Sequence, residues 1–320
     1  MNAKHITDIT IKNFRGFENL ELHGLGAVNL IVGQNNAGKT SLLEAINAAA
    51  APGMISKLPG LFRANAGKVA ERYFHWLVSD GAKTCEVSAD TDDGKRGIVI
   101  SKGTLPPRLD DYYRKEQIGP FEIGRWSTGR NMIEVWAVSV QHRSPDGLVP
   151  NFANAVRSPQ SEGLMEQLLA KVDPRIKTVR LDYADEDPFI SVDIGLSERV
   201  PLPQAGQGIY RMVAILSDLL GVKPKVCLID EIENGIHYTA LKQVWKGIAE
   251  ISSTLGIQVF ATTHSRECLE AAHEVFFTDD PKGEKDFAVI QLMRVKGQVI
   301  GKVLNEARVD AAMENEIELR

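Results

Sequence analysis

Residues 28–47, VNLIVGQNNAGKTSLLEAIN, decide the fold class of this chain. The stretch opens with an apolar run, Val28 to Val32, that has the length and composition of a buried strand. The next segment, Gly33 to Thr40, reads GQNNAGKT and matches the pattern GxxxxGK[ST]. A helical pattern follows, in which Leu42 and Ile46 share one face. A strand, a glycine-rich loop and a helix in this order predict a loop that cradles phosphate groups.

The residue types of this loop fit phosphate chemistry. Gly33 and Gly38 let the backbone turn tightly, so that its N–H groups point inward at phosphate oxygens. Lys39 supplies a positive charge for the β- and γ-phosphates, Thr40 supplies a hydroxyl for Mg²⁺, and the helix start adds its positive dipole end. A glycine-rich turn with a solvated lysine is the alternative. The predicted nucleotide contacts are Gly33, Asn35, Asn36, Ala37, Gly38, Lys39, Thr40 and Ser41.

Composition places the chain among ordinary globular proteins. It has 320 residues, of which 43% are hydrophobic and 25% charged, as expected for one large α/β domain or about two smaller ones. The net charge of −5 argues against a uniformly basic nucleic-acid coat. The three cysteines lack the spacing of metal ligands, and no apolar run reaches the ~18 residues of a membrane span. We therefore expect a reduced, cytoplasmic protein without a signal peptide and without a membrane contact.

The N-terminal residues predict two strands that flank a turn at Arg15 and Gly16. A cation at the tip of a turn beside the phosphate loop can reach a nucleotide phosphate, and the residues leave this role open. A helical pattern over residues 64–79 follows the first helix, and it places Trp76 and Leu77 on a buried face.

Strands are predicted at residues 97–101 and 132–140 with an antiparallel arrangement, and a proline- and glycine-rich segment, residues 103–129, separates them. Residues 94–143 carry nine Lys and Arg against five Asp and Glu. Such a stretch is typical of a solvated basic face, and a nucleic-acid contact is the alternative. Gln141 follows the second strand and is a candidate ligand for Mg²⁺ or a candidate hydrogen-bond donor to the attacking water.

A second glycine-rich start of a helix lies in residues 200–221, VPLPQAGQGIYRMVAILSDLLG. Its two prolines prevent an early helix, and Gly206 and Gly208 then give a flexible turn before an amphipathic helix. The exposed N–H groups of these glycines predict a second cradle for an anion.

Two strands are followed by candidate catalytic residues. The apolar strand in KVCLIDE, residues 225–231, ends in two carboxylates, and ligands of open α/β sheets bind beyond the carboxyl ends of strands. Asp230 is therefore a candidate outer-shell ligand of Mg²⁺, and Glu231 is a candidate for the base that orients the attacking water. Another apolar strand, residues 257–261, ends in TTHS, where His264 can bond a γ-phosphate. A structural histidine is the alternative there.

Taken in order, IKNFRGF, GQNNAGKTS, the glycine pair before YRMVAIL, CLIDEIENGIH and TTHS resemble the motifs of an ABC-type ATPase head. The chain is similar to the branch that contains RecF, the SMC proteins and the overcoming-lysogenization-defect (OLD) ATPases. In that branch two heads hold two ATP molecules between them, and the signature loop of each head completes the phosphate loop of the other. The resemblance implies that Arg15 contacts nucleotide, Gln141 is the Q-loop residue, Gly206 lies in the signature loop and His264 is the switch histidine.

The sequence departs from that branch in two ways. The signature segment reads PQAGQG, and Gln204 stands where the serine of LSGGQ falls, so Gly206 offers backbone N–H groups alone. Only about sixty residues without heptads separate Gln141 from Gly206, so we expect neither SMC-type coiled-coil arms nor the TOPRIM nuclease domain of the OLD proteins. The chain looks most like the short stand-alone ATPases of this branch, which are often paired with a separately encoded effector in phage defence.

The resemblance implies an α/β fold: a P-loop NTPase of the ABC-ATPase head type, with a mixed sheet, an antiparallel β subdomain and a helical signature lobe. We expect a single domain over residues 1–320. Its β-rich lobe with the phosphate loop spans residues 1–143, its helical signature lobe spans residues 144–222, and residues 223–320 complete the core sheet and add a C-terminal hairpin and helix.

The predicted function is Mg²⁺-dependent ATP hydrolysis by a homodimer that shares its ATP sites and regulates a separate effector, such as a TOPRIM-type nuclease. The alternative is a RecF-like DNA-repair ATPase that holds duplex DNA on the basic segment. The IKNFRGF opening and the absence of LSGGQ disfavour an ABC transporter subunit. DNA affinity separates the first two hypotheses, because a clamp binds duplex by itself with a steep salt dependence.

Overall fold

The computed structural model describes residues 4–52, 70–106, 112–129, 133–138, 145–279, 286–304 and 306–314. The strands are β1 Ile6–Phe14, β2 Phe17–His23, β3 Val28–Gly33, β4 Thr84–Thr91, β5 Gly94–Lys102, β6 Arg114–Ile118, β7 Phe121–Ser127, β8 Val135–Val138, β9 Thr178–Ala184, β10 Asp187–Asp193, β11 Val200–Pro201, β12 Val226–Ile229, β13 Gln258–Thr262, β14 Phe287–Val295 and β15 Gln298–Leu304. The α-helices are α1 Lys39–Ala50, α2 Ala70–Leu77, α3 Pro145–Ala155, α4 Pro159–Val172, α5 Gln207–Gly221, α6 Leu241–Leu255, α7 Arg266–His273 and α8 Glu306–Glu314.

A six-stranded mixed sheet, in the order β15-β14-β3-β13-β12-β8, carries the motifs found in the sequence. Strands β14, β3, β13, β12 and β8 run parallel, and β15 returns antiparallel to β14. The apolar runs of β3, β12 and β13 are buried on both faces, as parallel strands between two layers require. The carboxyl ends of β3, β13 and β12 therefore meet at one edge of the sheet.

A second six-stranded sheet is antiparallel throughout, in the order β2-β1-β4-β5-β7-β6, and a three-stranded sheet has the order β11-β10-β9. Helix α1 lies between the two large sheets. Its buried Leu42 and Ile46 share one core with Val87 of the antiparallel sheet and with Ile31 and Phe260 of the mixed sheet. These sheets and helices confirm the predicted α/β class with an antiparallel subdomain.

The other face of the mixed sheet is covered by α3, α4, α5 and α6. Trp245 of α6 is fully buried there, and its indole N–H donates to the carbonyl oxygen of Cys268, 3.1 Å away. Full burial of one large apolar side chain stabilises a fold by about 1.5–3 kcal/mol, so this layer holds the helices firmly on the sheet. No α-helix within the described ranges is long and apolar enough to cross a membrane.

The structure corrects three predictions. Within residues 132–140, β8 is not antiparallel: it runs parallel beside β12 and belongs to the mixed sheet. Residues 103–129 are not simply a connecting segment, because β6 and β7 form an antiparallel hairpin there. Trp76 is 62% exposed, whereas Leu77 is fully buried, because α2 turns Phe74 and Leu77 towards the core.

Candidate active site

The phosphate loop joins β3 to α1. Gly33 is required at its start, because a Cβ atom there would lie 2.4 Å from the carbonyl oxygen of Leu292 on the neighbouring strand. Gly38 precedes α1 as its N-cap with φ 96°, and no side chain caps the helix. The backbone N–H groups of this helix start remain available to an anion. Between the two glycines, Asn35 and Asn36 are exposed and Ala37 is buried; Ser41, in the first turn of α1, is half-buried.

Lys39 is folded back onto this loop. Its ammonium group donates to the carbonyl oxygens of Gly33, at 2.7 Å, and of Gln34, at 3.1 Å. Burial lowers the pKa of Lys39, while the carboxylates of Glu233, Glu231 and Asp230 act in the opposite direction, in that order of size. A half-buried cation that rests on two carbonyl oxygens can exchange these neutral acceptors for phosphate oxygens, which bind it more strongly.

Asp230 is linked to the phosphate loop and to the adjacent strand. The hydroxyl of Thr40 lies 3.2 and 3.1 Å from its two carboxylate oxygens, and the hydroxyl of Thr262 donates to one of them at 2.7 Å. The backbone N–H of Glu231 in turn donates to the Thr262 hydroxyl at 2.8 Å. The structure thus brings together the residues that the sequence assigned to Mg²⁺ from two distant motifs.

Thr40 and Asp230 fit a magnesium ion. Both present oxygen ligands, and Mg²⁺ is bound in nucleotide sites by one or two such protein groups together with water and phosphate oxygens. No cluster of three or more His, Cys, Asp and Glu side chains able to hold a metal occurs within the described residues, so a site built by protein ligands alone is absent there. Bound Mg²⁺ would polarise the terminal phosphate and neutralise its charge.

The predicted base, Glu231, has an unusual backbone. Its φ of 46° lies in the left-handed region, which a residue with a side chain seldom adopts. Arg211 of α5, almost fully buried, donates to the carbonyl oxygens of Asp230 at 2.7 Å and of Glu231 at 3.5 Å. Burial lowers the pKa of the Arg211 guanidinium, and the carboxylate of Asp230 is the strongest opposing influence. The backbone after β12 is therefore held in place from the helix behind it.

His264 follows β13 and is paired with a residue that the sequence did not single out. Its ring Nδ1 lies 3.0 Å from Oε1 of Glu233, and its backbone N–H donates to the same oxygen at 2.8 Å. The His264 side chain is half-exposed, whereas that of Glu233 is 9% exposed. An acidic residue three positions after Asp230, in the segment between two strand motifs, was the signal in the sequence.

Arg15 contacts a protein carboxylate in this structure. Its guanidinium forms an ion pair of 2.5 Å with Glu44, which is fully buried in α1, and the two also share a 3.0 Å hydrogen bond. The hydroxyl of Ser79 donates to the Arg15 carbonyl oxygen at 2.7 Å. The nucleotide contact of Arg15 stays a prediction. A lone acid on the apolar helix pattern of residues 39–50 indicated that Glu44 needs a partner.

The second glycine-rich turn also starts a helix without a side-chain cap. Gly206 is the N-cap of α5 with φ 108°, it is exposed, and a Cβ atom added to it would meet nothing within 4 Å. Gly208 is packed closely, since its Cβ would lie 2.7 Å from the carbonyl oxygen of Gly235. Gln204 is exposed beside them. The Q-loop candidate Gln141 lies outside the described residues, and its role stays a prediction.

Family models match most of the chain in two parts. One described as "AAA domain" matches residues 8–143, and one described as "AAA domain, putative AbiEii toxin, Type IV TA system" matches residues 141–270. An ATP/GTP phosphatase of Helicobacter pylori is 23% identical over 340 residues, which cover 88% of this chain and 90% of that protein. The DNA replication and repair protein RecF of Xanthomonas axonopodis pv. citri is 33% identical over 95 residues, and these span 30% of this chain and 22% of RecF.

Solved structures share the whole fold. An SMC head bound to the C-winged helix domain of ScpA matches with a TM-score of 0.64 at 15% identity, over 97% of this chain and 99% of that one. An SMC head domain with an extended coiled coil, bound to the C-terminal domain of ScpA derived from Pyrococcus furiosus, matches with a TM-score of 0.59 at 14% identity, over 98% and 100%. These matches show that the chain has the fold of an SMC head, and its phosphate loop and the acidic end of β12 are similar to those of the ABC-type ATPase heads of the RecF/SMC branch.

Proposed function

We propose that this ATPase hydrolyses ATP with Mg²⁺ and works as a dimeric switch for a separate effector protein. The observation that carries the proposal is the connected group Lys39, Thr40, Asp230 and Glu231 at one edge of the mixed sheet. Lys39 and the loop N–H groups bind the β- and γ-phosphates, and Thr40 and Asp230 hold the metal. Glu231, directly after the metal ligand, orients the attacking water and accepts its proton, and His264 bonds the γ-phosphate.

The second helix start supports the proposed dimer. The N–H groups at Gly206 and Gly208 are uncapped, and Gly206 is exposed, so an anion on another molecule can reach them. A twofold dimer places this turn of each subunit against the nucleotide of the other, which makes the interface self-complementary. ATP favours the closed dimer over ADP because the γ-phosphate is the group that bridges the two subunits.

The effector in this proposal is a separately encoded protein, such as a TOPRIM-type nuclease, in antiviral defence. The description of one matching family names an AbiEii toxin and a Type IV TA system, which supports a defensive role. The SMC heads in the solved structures are bound to the partner ScpA, which supports a head that acts through another protein.

The test combines assembly and capture with one trapped variant. Glu231→Gln is expected to bind ATP, hydrolyse it slowly and remain in the closed dimer, so light scattering should report a dimer with ATP and less of it with ADP. An affinity pull-down of the same variant from its native cell with ATP identifies the effector. Lys39→Ala is the matched control, because it loses the nucleotide and should retain no ATP-dependent partner. Equal assembly of both variants with ATP contradicts the switch.

A RecF-like DNA-binding ATPase is the second candidate, and the antiparallel sheet supports it. Lys102, Arg114 and Lys115 are exposed on β5 and β6, Tyr113 beside them is 59% exposed, and the ammonium of Lys115 lies 5.4 Å from the ring centroid of Tyr112. Cations interleaved with aromatic rings suit a nucleic-acid backbone. Tight binding of duplex DNA by the protein alone, weakening steeply with salt, supports this candidate; weak binding at every salt concentration contradicts it.

A further inference from the structure

Glu233 lies in the loop after β12, and its side chain is nine-tenths buried. One carboxylate oxygen, Oε1, accepts the backbone N–H of His264 and contacts the ring Nδ1 of the same residue. The other oxygen, Oε2, is buried and has no hydrogen-bond partner among the residues that the structure describes. A buried carboxylate with one oxygen unsatisfied costs free energy, so stability alone does not account for an acid at this position.

The two contacts fix His264 at two points. The hydrogen bond to its backbone sets where the loop after β13 begins, and the contact to Nδ1 sets the rotation of the ring. A carboxylate at Nδ1 favours a proton on that nitrogen, and Nε2 is then the ring atom left to meet a ligand. An imidazole with one nitrogen held by a carboxylate is oriented before the ligand arrives, which lowers the entropic cost of the contact.

The carboxylate that holds the ring also acts on the phosphate-binding lysine. Among the carboxylates that oppose the lowered pKa of Lys39, Glu233 has the largest effect, ahead of Glu231 and Asp230. The charge of Glu233 therefore acts on the ammonium group of Lys39, even though Glu233 is not at the end of β12. The segment after β12 carries two glutamates that are related to the site in different ways. Glu231 directly follows the end of the strand, and Glu233 contacts His264.

We propose that Glu233 is a positioning residue for hydrolysis: it holds His264 so that Nε2 faces the γ-phosphate, and it takes no proton from the attacking water. The proposal rests on the ATP hydrolysis proposed above. It gives the two glutamates separate duties, with Glu231 as a proton acceptor and Glu233 as a hydrogen-bond acceptor.

Two substitutions at Glu233 distinguish these duties. Glu233→Met keeps the volume and removes both acceptors, so we expect kcat to fall by about 10- to 100-fold, with KM changed by less than about threefold. Glu233→Gln keeps an oxygen that accepts from His264, so it should restore kcat to within about threefold of the wild type. Glu267→Gln removes the same charge from α7, where Glu267 accepts from the Ser265 hydroxyl at 2.7 Å, and it should leave kcat unchanged.

A double-mutant cycle shows whether Glu233 acts through His264. In a His264→Ala background, Glu233→Met should lower kcat no further, because the ring that it positions is gone. Glu233→Gln as inactive as Glu233→Met overturns the proposal, since it makes Glu233 a proton acceptor. Unchanged kcat in Glu233→Met, or additive losses in the double variant, overturn it as well.

A measurement on the ring separates failure of this proposal from failure of the proposed function. Nitrogen-15 NMR of labelled histidine, assigned with His264→Ala, should show a proton on Nδ1 of His264 in the wild type and its loss from that nitrogen in Glu233→Met. This readout needs no turnover, so it applies even to a protein that does not hydrolyse ATP. If Glu233→Met does not fold, the spectrum of the wild type alone still tests whether Nδ1 carries a proton. An unprotonated Nδ1 in the wild type contradicts the proposal.

Discussion

The chain builds two helix starts in the same way and surrounds them differently. Helix α1 begins after Gly38 and helix α5 after Gly206; both glycines have positive φ angles, 96° and 108°, and neither helix has a side-chain cap. Around the first start lie Lys39, Thr40 and the carboxylate of Asp230. Around the second, Gln204 and Gly206 are exposed.

This difference teaches what each helix start can do alone. Backbone N–H groups and a helix dipole attract an anion by a modest amount, and a cation with metal ligands raises that to nucleotide affinity. The first cradle, which is the phosphate loop with Lys39, Thr40 and Asp230, therefore has both the cation and the metal ligands that nucleotide binding needs within one chain. The second can only add to a phosphate that is already bound elsewhere, so it serves as the sensor of a partner's nucleotide in the proposed dimer.

The largest expected effect separates binding from chemistry in the first cradle. Glu231→Gln should bind ATP with near wild-type affinity and lower turnover by ~10²–10⁴-fold, because an amide keeps the shape of the side chain but accepts no proton. Steady-state phosphate release and calorimetric titration measure the two quantities. Glu250→Gln, an exposed acid on α6, is the control. A fall of less than about threefold means that another residue is the base.

Lys39→Ala makes the first cradle resemble the second. Loss of a charge-assisted contact should cost at least ~1.5–3 kcal/mol, and in a shielded site we expect ATP binding to disappear from the calorimetric range. Because burial lowers the pKa of Lys39, its charged form is disfavoured in the folded state, and the variant should keep or slightly raise the melting temperature. Lys12→Ala, at an exposed position on β1, controls for the lost charge. Unchanged ATP affinity in a folded Lys39→Ala refutes the assignment.

Gly206→Asp tests the second cradle. In the Glu231→Gln background the new carboxylate should repel the γ-phosphate of the facing subunit, so ATP should no longer increase the mass measured by light scattering. Gly24→Asp is matched in backbone, because Gly24 also has positive φ and no atom within 4 Å of an added Cβ. It reports the cost of strain alone. If Gly206→Asp assembles with ATP like its parent, the sites are not shared.

The smallest expected effect concerns the support of the first cradle. Thr262→Val removes the shorter of the two hydroxyl contacts to Asp230 and leaves the Glu231 N–H without its acceptor, which should lower the free energy of unfolding by about 1–3 kcal/mol. Chemical denaturation measures this loss, and the Mg²⁺ concentration for half-maximal activity should rise. Thr262→Ser keeps the hydroxyl and should keep most of the stability. Equal stability of the valine and serine variants would show that these hydrogen bonds contribute little.

The candidate site residues at the strand ends could be predicted from the sequence because their chemistry is local. A glycine-rich loop after an apolar strand and two acids after another can be read without knowing what lies beside them, and the sheet places Lys39, Thr40 and Asp230 together. The contacts of Glu233 and Arg211 could not be read, since each depends on a residue from another segment of the fold.

Two elements escaped prediction for reasons of local pattern. Helix α3 contains Pro150, and proline usually marks the end of a helix; here the helix packs against α5 and β10 and tolerates it. Strand β7 reads FEIGRWS, in which Arg125 is buried and its guanidinium bonds to Glu116 and to the Pro52 carbonyl. A buried arginine breaks the apolar alternation by which strands are recognised.

The close packing of Gly208 against Gly235 has a kinetic consequence. Gly235 belongs to the loop that carries Glu231 and Glu233, so the start of α5 touches this loop of its own subunit. In the proposed twofold dimer, the turn that docks on one nucleotide would thus be in contact with the loop that serves the other. The two turnovers would be cooperative: the rate should rise with ATP concentration with a Hill coefficient above one, and a mixed dimer with one Lys39→Ala subunit should run below half speed.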